Sequence, residues 1–227
     1  MDYWQVAYEY YLSKGFPEEL ILNQGITQED ATQIVTFLSL MNPLSILEVG
    51  TFIGLSTAAM SLASSKNCKL VCIDPNLPVN VQSLDFKHYD NRGSLIILRE
   101  MLIHFGLTEK VTLFEGFLSC YPSKGFREHL SLYNIETQKI SIVGKKIGLH
   151  APFEMVFLDG DHYSDAVLSD LNLLHNYISP DGVIILHDFS GGWSSQVMAG
   201  SEAFLIHHPE YQLKIENNLG FIQRVRS

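Results

Sequence analysis

A doubly wound α/β sheet is the fold this sequence predicts, on three observations. Short apolar runs alternate with helical patterns through most of the chain. Several of those runs end in an acidic residue, as at Glu48, Asp74 and Asp159. A glycine-bearing loop leads from the first run into a helix, in Glu48-Val49-Gly50-Thr51-Phe52-Ile53-Gly54-Leu55-Ser56. Sheets of this kind bind ligands in the crevice outside the carboxyl ends of their strands.

The elements follow in order. Asp2–Leu12 reads as an aromatic-rich helix that packs on the domain or on a second subunit. Thr27 reads as an N-cap with the acid Asp30 three positions on. A helical stripe of Ala31, Ile34, Val35, Leu38 and Met41 follows, and Asn42-Pro43 stops it. Leu44–Val49 is the first strand, Ser56–Ser64 a helix of small residues, and Lys69–Asp74 the second strand. Asn76–Tyr89 reads as an inserted loop, Ser94–Phe105 as a helix closed by Gly106, and Val111–Phe114 as the third strand. Phe153–Leu158 is the fourth strand, ending at Asp159, and Ala166–Ile178 is the next helix. A turn at Ser179-Pro180-Asp181-Gly182 leads into the fifth strand, Val183–Leu186, which ends at Asp188. Ser194–His207 is helical, and Tyr211–Ile215 and Phe221–Val225 form a closing hairpin through Asn217-Asn218-Leu219-Gly220.

Five strands with helical crossovers plus a hairpin make a seven-stranded sheet with an antiparallel edge. Residues 1–43 are expected as helices packing on a core formed by 44–227. Ser119–Ala151 is too long for a plain connection and reads as an insert, with Lys139–Ile142 and Lys145–Leu149 forming a small hairpin around Gly144.

Composition narrows the partners. A chain of 227 residues with net charge −10 suits one soluble domain and argues against a general nucleic-acid binder. No apolar run approaches the ~20 residues of a membrane span. Met1-Asp2-Tyr3-Trp4-Gln5 lacks the basic-then-apolar signature of a secretory signal. Cys68, Cys72 and Cys120 make no paired framework, which fits a reducing cytoplasm, and the first two read as core thiols. A small-molecule partner is therefore expected, with neither nucleic acid nor membrane, and a homodimer stays open.

The loop after the first strand carries the cofactor argument. Gly50 and Gly54 permit a tight turn and close backbone approach. A dinucleotide fingerprint wants glycine where Phe52 stands, so a pyrophosphate would meet a side chain. A cofactor carrying adenosine and an amino acid suits the loop better. Asp74, about one βαβ unit downstream, is placed to accept ribose hydroxyls. In the second half, Leu158-Asp159-Gly160-Asp161-His162 and Leu186-His187-Asp188-Phe189 each deliver an aspartate at the same end of the sheet. Two such carboxylates can share a hard divalent cation such as Mg2+.

These motifs, in this order, resemble class I S-adenosyl-L-methionine (SAM)-dependent O-methyltransferases. The catechol and caffeoyl-coenzyme A type is similar, and bacterial small-molecule enzymes with D-G-x-H and H-D motifs are closer. The resemblance runs from about Gln24 to the C-terminus through Gly25-Ile26-Thr27, Glu48 to Ser56, Asp74, Gly116, Asp159 to His162, and Gly182 to Asp188. It implies a Rossmann-like methyltransferase fold and SAM as cofactor, held by Glu48, Gly50, Thr51, Phe52, Gly54, Ser56, Asp74, Gly116, Ser119 and Asp159. It matches Asp159 and Asp188 to metal-binding acids, and places His162 where the catechol-type enzymes keep a lysine base. The implied reaction moves a methyl group to a hydroxyl of a small molecule, with His162 and Asp159 catalytic and a divalent cation, Mg2+ or Mn2+, assisting.

One departure concerns the metal. Phe189 stands where the catechol-type enzymes have an asparagine ligand, so a third ligand must be Asp161, His187 or water. A histidine ligand would favour manganese or iron over magnesium. His187 and Asp188 would point to opposite faces unless the strand has ended before them. Two other readings stand beside this one: a catalytically silent SAM-binding or scaffolding domain, and a nicotinamide-dependent enzyme. Trp193 either covers substrate or packs, and His88, His104, His129, His150 and His175 read as surface residues.

Overall fold

The computed structural model describes residues 1–79, 92–120, 122–133, 135–136 and 139–225, apart from the side chains of residues 23 and 24. Three helices come first: α1 (Tyr3–Ser13), α2 (Glu18–Gln24) and α3 (Gln28–Met41). The α3 start is a complete capping box, in which Thr27 and Asp30 exchange side-chain and backbone bonds. Asn42, in the left-handed conformation before Pro43, ends that helix.

Strands β1 (Ser45–Val49), β2 (Lys69–Asp74), β3 (Val111–Glu115), β4 (Phe153–Leu158), β5 (Ile178–Leu186), β6 (Tyr211–Glu216) and β7 (Leu219–Arg224) form one sheet in the order β3-β2-β1-β4-β5-β7-β6. The first five run parallel and β7 lies antiparallel to β5, so the predicted doubly wound sheet with an antiparallel edge is what the chain forms. Between β1 and β4 the winding reverses direction. That switch point is where a ligand crevice opens in such folds.

Strand alternation divides the core between two faces. Ile46, Met155 and Phe157 join one apolar cluster with Trp4, Tyr11 and Ile34 of the N-terminal helices and with helices α4 (Leu55–Ala63) and α5 (Ser94–His104). Leu47, Val49, Val156 and Leu158 join the other, under helices α8 (Ser164–Leu174) and α9 (Ser194–His207). Trp4, Tyr10 and Tyr11 of α1 are thus buried within the chain's own core. Trp4 Nε1 donates to the carbonyl of Ile26 at 2.8 Å, and the Tyr11 hydroxyl donates to the carbonyl of Ile53. Both bonds tie α1 to segments that line the crevice.

The structure corrects the sequence reading in three places. The helix expected over Ala166–Ile178 is α8, which ends at Leu174, and Ile178 already pairs with Phe153 as part of β5. The predicted turn at 179–182 is a register irregularity inside that strand, between the Phe153↔Ile178 and Met155↔Val183 pairs. In the insert no hairpin forms around Gly144. Helix α6 (Lys124–Ser131) comes first, Ile142 bridges Phe117 in parallel, and Gly144–Ile147 is the short helix α7. The segment pairs with the chain after β3 because Phe117 donates to Ser141 O, while Val143 and Gly144 donate to the carbonyls of Phe117 and Leu118. A Cβ at Gly144 would lie 2.5 Å from Leu118 O, so only glycine permits this approach. Most of the loop expected at Asn76–Tyr89, His88 included, lies outside the described residues.

Candidate active site

A cleft of about 600 Å³ opens at the carboxyl ends of β1, β2 and β4, a volume typical of small-molecule sites. Its walls include Gly25 and Ile26, the Gly50–Ile53 loop, Asp74, Gly116–Leu118, Asp159–Tyr163, Asp170 and Trp193. Gly50 sits where β4 passes over the loop. Its φ is +83°, and a Cβ there would lie 1.9 Å from the carbonyl oxygen of Asp159. Phe52 also has positive φ, at +46°, and its ring lines the cleft.

Asp74 explains how that strained loop holds its shape. Its Oδ2 accepts the backbone N–H groups of Thr51 and Phe52 at 3.1 and 3.0 Å, and its Oδ1 accepts Asn76 N–H and the Ser94 hydroxyl. Burial raises its pKa, and the four donors pull the other way. Glu48 is placed differently. Strand alternation turns it to the Ile46 face, away from the cleft wall, where it accepts the hydroxyls of Ser56 and Thr57 and faces Cys72 Sγ at 3.2 Å. It is fully buried, with no basic partner among the described residues, and burial pushes its pKa up to about 7 against those bonds, with the charge of Asp159 adding.

Of the other expected cofactor contacts, Thr51, Ser56 and Gly116 are on the wall, whereas Gly54 and Ser119 are not among the lining residues. Gly54 caps α4 with φ +98°. Ser119 turns to α8, donating to Asp170 and lying 3.0 Å from Ser169. Burial pushes the Asp170 carboxyl up to about 7, against Ser119 and with the Asp161 charge.

The second set of acids is built on histidines. Asp159, His162 and Asp188 have donor atoms within 4.8 Å of one another. His162 Nε2 lies 3.1 Å from Asp159 Oδ1 and 2.9 Å from Asp188 Oδ2. His187 Nδ1 approaches the same carboxylates from the other side, at 3.3 Å from Asp159 Oδ1 and 3.4 Å from Asp188 Oδ1. Burial disfavours a charged imidazole, but Asp159 and Asp188 outweigh it and raise His162 to about 10, and the same two with Asp30 raise His187 to about 12. The Asp159 carboxyl is held well below its ordinary range by the same histidines despite its burial.

His187 and Asp188 converge because β5 ends at Leu186 and Asp188 takes a left-handed conformation, φ +64°, which breaks the alternation of a strand. Asp161 is not brought into the cluster. Its carboxylate accepts Ser123 N–H at 2.8 Å, the Ser123 hydroxyl at 3.0 Å and Tyr163 N–H at 3.2 Å, and so pins the start of α6. Phe189 packs its ring where a Cβ on Gly220 would fall, and it is buried there rather than facing the cleft.

Aromatic side chains crowd the cleft beside His162. Trp193 stacks on His162 with ring centroids 5.7 Å apart and meets Tyr163 edge-on at 5.1 Å. Phe126 and His129 stack on each other from α6, so His129, expected on the surface, is a wall residue. Two residues absent from the sequence-predicted set also reach the cluster, Asp30 and Asn218, each near Nε2 of His187. The Thr27–Asp30 capping pattern was legible as a helix start, but no local signal ties it to His187.

Residues 47–189 match the model of the methyltransferase domain family, more than half of the chain, and the chain belongs to that family. The whole architecture is shared with solved structures. Podospora anserina methyltransferase PaMTH1, SAH-bound, is 15% identical with TM-score 0.62, covering 100% of this chain and 89% of that one. An O-methyltransferase from Bacillus cereus in complex with SAH is 14% identical with TM-score 0.59, covering 98% and 89%. The O-methyltransferase TomG from Streptomyces achromogenes, in complex with SAM and involved in tomaymycin synthesis, is 15% identical with TM-score 0.56, covering 100% and 91%. A curated relative, uncharacterized protein R132 of Acanthamoeba polyphaga mimivirus, is 39% identical over 46 residues, spanning 20% of this chain and 21% of that protein. The methyltransferase resemblance read from the sequence is therefore met by the family, and the fold is shared with solved methyltransferases. Among the described residues no helix is long and apolar enough to cross a membrane.

Proposed function

We propose that this protein transfers a methyl group from SAM to a hydroxyl of a small planar molecule, with His162 as proton acceptor and a divalent cation held by Asp159 and Asp188. The observation that carries this reading is one cleft that joins the Gly50–Ile53 loop to the His162–Asp159–Asp188 cluster. The glycine-dependent approach of Gly50 to Asp159 leaves backbone where a cofactor would lie, and the cleft is large enough for a nucleoside with its amino acid. Asp74 takes the ribose role, with a ribose hydroxyl replacing that of Ser94 on its Oδ1.

The donor set fits a cation: two carboxylates face one point, and Asp159 ionises readily. When bound there, a divalent cation would take up the charge that holds a proton on His162 and would lower the pKa of an acceptor hydroxyl. His162, on the cleft wall, accepts that proton. Trp193, Tyr163 and Phe126 hold a flat acceptor and exclude water, so that the oxygen lies in line with the methyl group. Calorimetric titration with SAM, with and without Mg2+ or Mn2+, tests the reading. Micromolar SAM binding and metal heat abolished by Asp188→Ala are expected. No SAM binding in any condition would overturn it.

A further inference from the structure

His187 is held from behind. Its side chain is 10% exposed, outside the cleft lining, with Nδ1 toward the Asp159 and Asp188 carboxylates and Nε2 toward the protein. At Nε2 two groups compete. Asp30 Oδ2 lies 3.1 Å away, and Asn218 Nδ2 lies 2.9 Å away. They call for opposite states of the ring. Asp30 needs a hydrogen on Nε2, and Asn218 needs a lone pair there. Asn218 cannot turn its amide oxygen to the ring without loss, because that oxygen accepts both the N–H and the hydroxyl of Ser190, at 2.8 and 2.7 Å. Asp30 is equally fixed, and as a charged acceptor it outweighs the neutral amide of Asn218. Its Oδ2 also accepts Thr27 N–H and the Thr27 hydroxyl, so one oxygen faces three donors, an arrangement that suits a carboxylate anion.

We propose that Asp30 is a positioning residue that holds His187 by Nε2 and so points Nδ1 at the space between Asp159 and Asp188, where it would serve as a third protein donor to a bound cation. The inference rests on the metal-assisted reading above. Its content is which side chain completes the site and what that does to metal choice. A histidine whose far nitrogen donates to a carboxylate is an oriented and more basic ligand. One imidazole and two carboxylates suit Mn2+, Fe2+ or Co2+ better than Mg2+, which prefers oxygen alone. His187 also replaces the ligand that Phe189 does not supply. Its partners come from opposite ends of the chain, the first turn of α3 and the turn between β6 and β7.

The test uses the whole chain with Mn2+ and Mg2+ as probes, read by calorimetry and by nitrogen hyperfine coupling in the Mn2+ electron paramagnetic resonance spectrum. Wild type should bind Mn2+ more tightly than Mg2+ and show imidazole coupling. His187→Gln should remove that coupling, and His162→Ala should keep it. Asp30→Asn should weaken Mn2+ by on the order of 10–100-fold and Mg2+ less, narrowing the preference. Thr27→Ala disturbs the same helix cap and should lower the melting temperature while leaving the Mn2+ preference in place. If Asp30→Asn folds and keeps its Mn2+ affinity within about threefold, or if coupling persists in His187→Gln, the proposal is overturned. In that case Mn2+ binding abolished by Asp188→Ala would leave the metal-assisted reading standing. No Mn2+ binding by wild type would overturn both, and the SAM titration would still decide the cofactor.

Discussion

The two halves of the sheet each bring a pair of acids to the same edge, and they use them in opposite ways. Glu48 and Asp74, from β1 and β2, are partnered by hydroxyls, backbone N–H groups and a thiol, and both have raised pKa values. Asp159 and Asp188, after β4 and β5, are partnered by ring nitrogens and have lowered ones. Burial raises a carboxyl pKa in all four cases, so the partner decides the sign. Of the first pair, Asp74 fixes the shape of a loop and Glu48 the first turn of α4. The second pair holds negative charge at a point open to a cleft. A strand-end acid is therefore defined by what donates to it, and the two halves should respond differently to mutation.

The largest expected effect lies in the second half. His162→Ala should lower kcat by roughly 10²–10⁴-fold with the SAM Kd unchanged. Unaltered turnover would remove His162 from proton transfer. Asp159→Ala should follow, since it removes one of the two carboxylates that His162 and the buried His187 share. A loss of about 3 kcal/mol in urea unfolding is expected, together with loss of Mn2+ heat. A wild-type unfolding midpoint in that variant would show that the histidines do not depend on this acid.

In the first half the signature is a pH dependence of stability. Glu48 has an ordinary pKa of 4.5 and a folded value of about 7. As pH rises, the unfolded chain ionises first, so stability begins to fall near 4.5 and has lost its full share above about 7. That share is about 3 kcal/mol. Glu48→Gln does not titrate, so its unfolding free energy relative to wild type should improve by that amount across the window. A flat difference would mean that Glu48 ionises freely in the fold. Asp74→Ala should release the N–H groups of Thr51 and Phe52 and weaken SAM by ~30-fold, leaving Mn2+ binding intact. Coupled loss of both ligands would erase the contrast between the halves. The smallest effect is expected at Trp193→Ala, a loss of one stacking face worth ~1 kcal/mol in acceptor KM. An effect on SAM affinity instead would move Trp193 to the other half.

Much of this was legible because strand ends and tight turns are local. The glycine at position 50, the acid at 74 and the aspartates at 159 and 188 stand at ends of apolar runs that periodicity locates. The side-chain direction of Glu48 followed from alternation, yet its motif position suggested the cofactor, and only the packed helix α4 shows the hydroxyls that hold it. Asp161 sits in the most motif-rich segment and serves Ser123, a bond between distant segments. The insert misread as a hairpin pairs with the chain after β3, again a long-range choice. Strand alternation alone puts His187 and Asp188 on opposite faces. The left-handed turn at Asp188 removes that conflict, and nothing in the residue type announced it.

The reach of Asp30 and Asn218 to His187 bears on what can be transplanted. The stretch recognisable as a methyltransferase domain, 47–189, begins after one of these residues and ends before the other. A chimera joined at those borders would carry the glycine loop, both aspartates and both histidines. It would inherit, at Nε2 of His187, whatever its host placed there. Metal preference in such a hybrid would belong to the host's flanks rather than to the motif, and swapping residues 27–30 and 217–218 alone would be the smaller edit that moves it.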